Sequence, residues 1–110
     1  MPDKSELLQG TLDMLILRIV ELGPIHGYAI AQRIQQISRE VLKVQQGSLY
    51  PALHRLQKKK LLKAEWRTSA NRKEAKYYAL TAAGQKHLEE ETANWIRLSD
   101  AVGLILRVAE

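Results

Sequence analysis

The stretch from Gln46 to Lys60, QGSLYPALHRLQKKK, sets the tightest limit on what this chain can fold into. Wound as a helix, it gathers Leu49, Leu53 and Leu56 on one side with Ala52 beside them. That is the i, i+4, i+7 stripe of a short helix that must dock on a core. The other side carries Gly47, Pro51, His54 and Lys58, flanked by Tyr50 and Arg55, with nothing apolar that must be hidden. Ser48 stands where it can cap the first turn, which predicts a helix from Ser48 to Lys60. The free N–H groups and dipole at that end suit an anion such as phosphate. Two readings fit: the reading head of a DNA-binding domain, or an amphipathic surface helix with solvated lysines.

Charge placement favours the first. The net charge of +5 is uneven along the 110 residues. Arg39, Lys43, Arg55, Lys58, Lys59, Lys60, Lys63, Arg67, Arg72, Lys73 and Lys76 face only Glu40, Glu65 and Glu74 in the middle of the chain. Beyond Leu88 the balance reverses, with Glu89, Glu90, Glu91, Asp100 and Glu110 against Arg97 and Arg107. A basic middle calls for an anionic partner, and the acidic end for some other task. The apolar run Leu12–Val20 is interrupted by Asp13 and Arg18 and is too short to span a membrane. Asp3 and Glu6 spoil any signal-peptide pattern. With no cysteine, a cytoplasmic location is expected and thiolate metal sites are excluded.

In chain order, Asp3 and Glu6 form a capping box ahead of the first helix. Leu8, Leu12, Leu15, Ile19 and Leu22 make one stripe on that helix, and Leu7, Met14 and Leu17 a second. Apolar on two sides, it is either a central core helix or one shared with another subunit. Gly23-Pro24 stops it. A second helix opens at His26-Gly27-Tyr28, carries Ile30, Ile34 and Ile37, and ends near Ser38. Leu42-Lys43-Val44-Gln45 alternates as a short strand would. After the basic helix, Leu62, Ala64 and Trp66 alternate with Lys63, Glu65 and Arg67. A polar loop from Ser69 to Glu74 then leads to a second strand through Leu80. This hairpin has a basic tip and reads as a wing reaching along a phosphate backbone or into a minor groove, the alternative being a solvated loop. Tyr77 and Tyr78 are neighbours on a strand, so one of them points inward.

Thr81 is an N-cap for a last helix running to near Val108. Leu88, Trp95, Leu98, Val102, Ile105 and Ala109 trace a heptad seam along it. A seam wants a partner helix, and a second subunit is the favoured one, with packing back onto the same chain as the alternative. The expected architecture is mainly α with a small β-hairpin: a winged helix-turn-helix over residues 1–81 and a C-terminal dimerisation helix over residues 82–110. Leu8, Leu12 and Leu15 from the first helix and Leu98, Val102 and Ile105 from the last are expected in the dimer interface.

The pieces taken together resemble the PadR family of bacterial transcriptional regulators. The matching segments are the Leu-rich first helix, GPIHGY at 23–28, GSLYPALHRL at 47–56, Trp66, and KYYALTAAG at 76–84. The resemblance implies a winged helix-turn-helix, a homodimer built by the terminal helices, and repression of a nearby promoter. It also implies a small hydrophobic or aromatic effector. The single last helix is similar to the compact subgroup of that family. There are departures. Lys60 stands where the family tends to have a glycine, a left-handed position costing a non-glycine residue about 1 kcal/mol. Gln57 replaces a common glutamate, and Glu74 and Ala75 replace residues that are often basic, which weakens the wing's phosphate grip.

For base reading the candidates are Gln46, Ser48, Pro51, His54 and Arg55, with Arg55 suited to a guanine edge and Gln46 to an adenine edge. Lys58, Arg72, Lys73 and Lys76 suit phosphates, as do the hydroxyls of Tyr28 and Tyr50, which can equally be half-buried packing residues. Trp95 is either an interface anchor or a wall of an effector pocket between subunits. His26, His54 and His87 are scattered, so no metal site is expected. No nucleophile elbow, phosphate loop or acid–base pair suggests an enzyme, and no cofactor is expected. The partners expected are operator DNA, a second copy of the chain, and an effector. Two other readings stay open: a dimeric winged-helix protein-interaction module, and a ligand-binding dimer with secondary DNA contact.

Overall fold

The computed structural model of the chain describes residues 9–68 and 70–109. The capping box at Asp3–Glu6 and the interface residue Leu8 therefore lie outside the described residues. The elements are α1 (Gln9–Glu21), β1 (Ile25–His26), α2 (Gly27–Ile37), α3 (Gln46–Lys58), β2 (Leu62–Thr68), β3 (Glu74–Leu80) and α4 (Ala82–Leu106). The strands form one antiparallel sheet in the order β1-β3-β2. The hairpin expected from alternation is present, and a third strand is added to it. Ile25 pairs with Tyr78 and His26 with Tyr77, so β3's second edge is taken. Leu42–Gln45 is not a strand: the segment pairs with neither edge of the sheet, and alternation alone does not make a strand without a hydrogen-bonded partner.

α1 is the central core helix. Leu12, Met14, Ile16, Leu17, Ile19 and Val20 are all buried, since α2 and α3 take one side of α1 and α4 takes another. Leu22 lies past the end of α1 and is exposed, which removes it from the expected stripe. Ile30 and Ile34 of α2 are buried, whereas Ile37 turns out to solvent at the last turn. Leu49, Ala52, Leu53 and Leu56 of α3 are buried as their spacing requires, each leucine worth roughly 1.5–3 kcal/mol on burial.

α3 starts two residues earlier than its Ser48 signal implied. Its N-cap is Gln45, which makes no side-chain capping bond. It also stops before Lys60. Lys60 has φ 63°, its N–H donates to the carbonyl of Gln57 at 2.9 Å, and the N–H of Leu61 donates to that of Leu56 at 3.0 Å. This is the paired closure of a Schellman motif, with two buried leucines meeting across it. Lys60 occupies the left-handed position normally given to glycine.

Thr81 joins that turn to α4. Its Oγ1 accepts from Gly84 N at 2.9 Å and lies 2.7 Å and 3.0 Å from the carbonyl oxygens of Lys60 and Leu61, to which it donates. Gly84 allows this approach, because a Cβ there would fall 2.1 Å from the Leu61 carbonyl oxygen. Farther along, Gln85 Nε2 donates to Glu21 Oε2 at 2.7 Å, tying α4 to α1. Beyond Leu88 no residue of α4 is buried. The helix runs on past the sheet and α3, and the molecule's long dimension is 62 Å.

Candidate nucleic-acid interface

α3 divides cleanly. With its leucines facing α1, α2 and β2, the strip Gly47, Tyr50, Pro51, His54 and Lys58 is exposed, and Gln46 is exposed on its flank. Gly47, Pro51, His54 and Lys58 are three or four residues apart and so stack along one line of the helix. Nothing lies within 4 Å of where a Gly47 Cβ would sit, so no packing demand keeps that position small. Pro51 has no N–H to give the Gly47 carbonyl. A 13-residue helix is about 20 Å long, a length that a groove about 12 Å wide admits along its path.

Two candidates lie off that strip. Ser48 is only half-exposed. Arg55 turns toward the core, where its Nη2 meets Asp13 Oδ1 of α1 at 3.0 Å. The two side chains are 31% and 14% exposed. Arg55 Nε is buried without a hydrogen-bond partner among the described residues. Arg55 is thus not presented to a groove in this arrangement, and Asp13 is a residue that periodicity did not single out.

The wing carries Arg72 and Lys73, both exposed, at its tip, with Arg72 in the left-handed region at φ 60°. Lys76 is half-buried, its Nζ 5.7 Å from the centre of the Tyr78 ring. Of the adjacent tyrosines, Tyr78 points inward and is buried. Burial holds its phenol above the ordinary tyrosine range, and the neighbouring Tyr50 adds to the shift. Tyr77 lies on the other face, edge-on to His26 at 5.6 Å, with the Arg67 guanidinium 5.1 Å from its ring centre.

Between the reading helix and the wing runs a groove of about 390 Å³ lined by Tyr28, Tyr50, Trp66, Glu74, Lys76 and Tyr78 among others. It brings together the candidates Tyr28, Tyr50 and Lys76 with Trp66, Glu74 and Tyr78, which are not among the candidates. Trp66 shares a face with Leu62 and Ala64, but β2 outruns the core there, leaving the indole 67% exposed. Its position in the groove could not be read from alternation alone.

The expected interface residues divide by element. Among the described residues, Leu12 is buried by its own chain and Leu15 is half-buried against the same core. Leu98, Val102 and Ile105 are exposed, as are Ile96, Leu104 and Leu106. Trp95 lines a groove of about 310 Å³ between α1 and α4, with Thr11, Met14, Glu91 and Leu98. Among the described residues no helix is long and apolar enough to cross a membrane, and no cluster of potential metal ligands occurs.

Comparison with known proteins bears on this geometry. The model of the "Transcriptional regulator PadR-like family" matches residues 16–90, which span α2, α3 and the wing and the facing parts of α1 and α4. A PadR-like transcriptional regulator from Bacillus cereus is similar at 30% identity and a TM-score of 0.81, covering 94% of this chain and 99% of its own. A PadR family transcriptional regulator from Eggerthella lenta is 35% identical at a TM-score of 0.80, with coverage of 94% and 88%. A transcriptional regulator from Clostridium thermocellum shares the fold at a TM-score of 0.84 and 22% identity, with coverage of 93% and 99%. With a buried-leucine helix exposing one polar and basic strip beside a winged hairpin, and a family match running through both, the chain belongs to the PadR-like family of transcriptional regulators.

Proposed function

We propose that the chain is a sequence-specific DNA-binding repressor that acts as a homodimer and responds to a small hydrophobic or aromatic effector. The observation that carries the DNA-binding part is the exposed strip of α3, which has basic and hydrogen-bonding groups and no packing role of its own. Each subunit lays this strip in a major groove, with half-sites about one helical turn apart. Gln46, Pro51 and His54 face base edges, while Tyr50, Lys58, Arg72 and Lys73 meet phosphates. The sugar–phosphate strand between major and minor groove crosses the groove holding Tyr28, Trp66 and Lys76, where a cation and hydroxyl groups meet an anionic chain.

The apolar residues of α4 support the dimer. Leu98, Val102 and Ile105 are 58%, 44% and 72% exposed, and a row of this kind on one helix is covered by a second copy. Trp95 beside the α1–α4 groove supports the effector: an aromatic wall, apolar neighbours and few polar groups suit a flat apolar molecule. A cytoplasmic location fits this role.

The experiment is a binding titration with a duplex from the chain's own upstream region, run over salt against a scrambled competitor of equal length. Preference for the upstream duplex of about 10³ or more, lost in His54→Ala/Lys58→Ala, supports the reading. No binding at low salt refutes it, and the protein-interaction module takes its place. For the effector, quenching of Trp95 emission by aromatic compounds in a Trp66→Phe background is expected to accompany release of DNA.

A further inference from the structure

We propose that Arg55 is a positioning residue and not a base-reading one: through Asp13 it fixes how α3 is rolled on α1, and so where the reading strip points. This rests on the DNA-binding reading above.

The guanidinium leaves the exposed side of α3 and reaches α1, where Nη2 donates to Asp13 Oδ1 at 3.0 Å. Among the described residues it is the only ion pair drawn between two helices. The other three, Arg18–Glu21, Arg67–Glu65 and His87–Glu91, join close neighbours on one element. Asp13 is 14% exposed and Arg55 31%, so water screens the pair poorly. Arg55 Nε is buried with no partner among the described residues. A guanidinium kept inside with one donor unmatched is held there by its neighbours, since an arginine free to swing out would satisfy that donor in water.

The buried leucines of α3 fix its distance from the core but only loosely fix its roll, because apolar contact is not directional. A charge-assisted hydrogen bond is directional. Arg55 lies between Pro51 and His54 on one side and the buried Ala52 and Leu56 on the other, so its anchor acts at the edge of the reading strip. Met14, next to Asp13 in the chain, lines the α1–α4 groove beside Trp95. A displacement of α1 caused by filling that groove reaches α3 through this pair.

The test uses the full-length protein and a duplex enriched by in vitro selection with the wild-type chain. Affinity is measured for Asp13→Asn, Arg55→Ala, the double variant and Arg55→Lys, together with a panel of single base-pair changes in the duplex. The two roles give opposite signs for Asp13→Asn. Removing an acidic group and freeing an arginine strengthens binding, or leaves it unchanged, if Arg55 reads a base. If Arg55 positions α3, Asp13→Asn weakens specific binding about tenfold, by as much as Arg55→Ala, and the double variant is no worse than either. The loss is then spread over every base pair that α3 meets. Arg55→Lys retains most of the affinity, because one N–H suffices for the observed contact.

Thermal melting of each variant sets a common temperature at which all are folded, and Arg55→Lys still separates the roles if Asp13→Asn melts too early. Tighter or unchanged binding by Asp13→Asn overturns the proposal, as does loss of discrimination at a single base pair in Arg55→Lys. Both leave the DNA-binding reading intact. Failure of the wild-type chain to enrich any duplex overturns that reading, and the proposal with it.

Discussion

Gly84→Ala makes the sharpest stability prediction, because the same substitution elsewhere on α4 has the opposite sign. A Cβ on Gly84 would sit 2.1 Å from the carbonyl oxygen of Leu61 and 2.8 Å from Leu80 Cδ1. Ordinary contact begins at 3.4 Å, well over 1 Å farther out, and the obstructing atom is backbone, so α4 must shift as a body. The Leu61 carbonyl accepts from Thr81 N at 3.2 Å and lies 3.0 Å from Thr81 Oγ1. A shift of that size weakens both bonds, at about 1 kcal/mol each, and adds overpacking strain of about 1–3 kcal/mol. The expected loss is about 3–5 kcal/mol. At roughly 4 °C per kcal/mol for a domain of this size, melting falls by about 10 °C or more. Gly103 is the control. A Cβ there meets only the end of the Arg107 side chain, at 2.8 Å, which can swing away. Gly103→Ala gains helix propensity, worth up to about 1 kcal/mol. Both variants are compared with wild type by thermal and urea unfolding at one protein concentration, since a dimer's melting depends on it. A Gly84→Ala protein that melts with or above wild type refutes the close approach of α4 to the end of α3.

Three further predictions follow from single contacts. Lys60→Gly relieves the left-handed strain at φ 63° and is expected to raise the urea midpoint by the equivalent of about 0.5–1 kcal/mol; a lower midpoint contradicts the closure described for α3. The Gln85 amide, and secondarily Arg18, hold the Glu21 carboxyl below the ordinary glutamate range. A depressed carboxylate contributes stability that is present above its unfolded pKa and lost as pH falls through its lowered folded value. Gln85→Ala is therefore expected to destabilise the protein at neutral pH and to converge with wild type in acid, and a gap constant with pH is the contrary result. Val102→Glu/Ile105→Glu places like charges on the exposed row of α4; the wild type is expected to sediment as a dimer and the variant as a monomer, and an unchanged mass moves the interface elsewhere.

What could be read from the sequence was what depends on near neighbours. The buried face of α3 follows from Leu49, Leu53 and Leu56, and the hairpin from alternation on either side of a polar loop. Thr81 announced the start of α4, and the strain at Lys60 was visible from its place after a helix end. What was missed depends on distant parts of the chain. The flank of an exposed face suits Arg55 to a groove, but its partner Asp13 is 42 residues away and no spacing links the two. Ile25–His26 is too short for any period to show, and the alternation at Leu42–Gln45 is not matched by a pairing partner. Alternation correctly put Trp66 on the face of Leu62 and Ala64, but could not tell that the sheet extends beyond its core. Of the two stripes on α1, Leu12, Met14, Leu17 and Ile19 are buried by the chain's own helices, Leu22 is exposed, and Leu7 and Leu8 lie outside the described residues.

The most direct test of the reading face is a dimethyl sulfate protection map of a selected duplex, because guanine N7 opens only to the major groove. The expected pattern is two blocks of protected N7 about one helical turn apart, both lost with His54→Ala/Lys58→Ala and both retained when Arg72 and Lys73 are replaced by alanine. Binding that leaves every guanine N7 reactive, or protection indifferent to the α3 substitutions, would mean that α3 does not enter the groove.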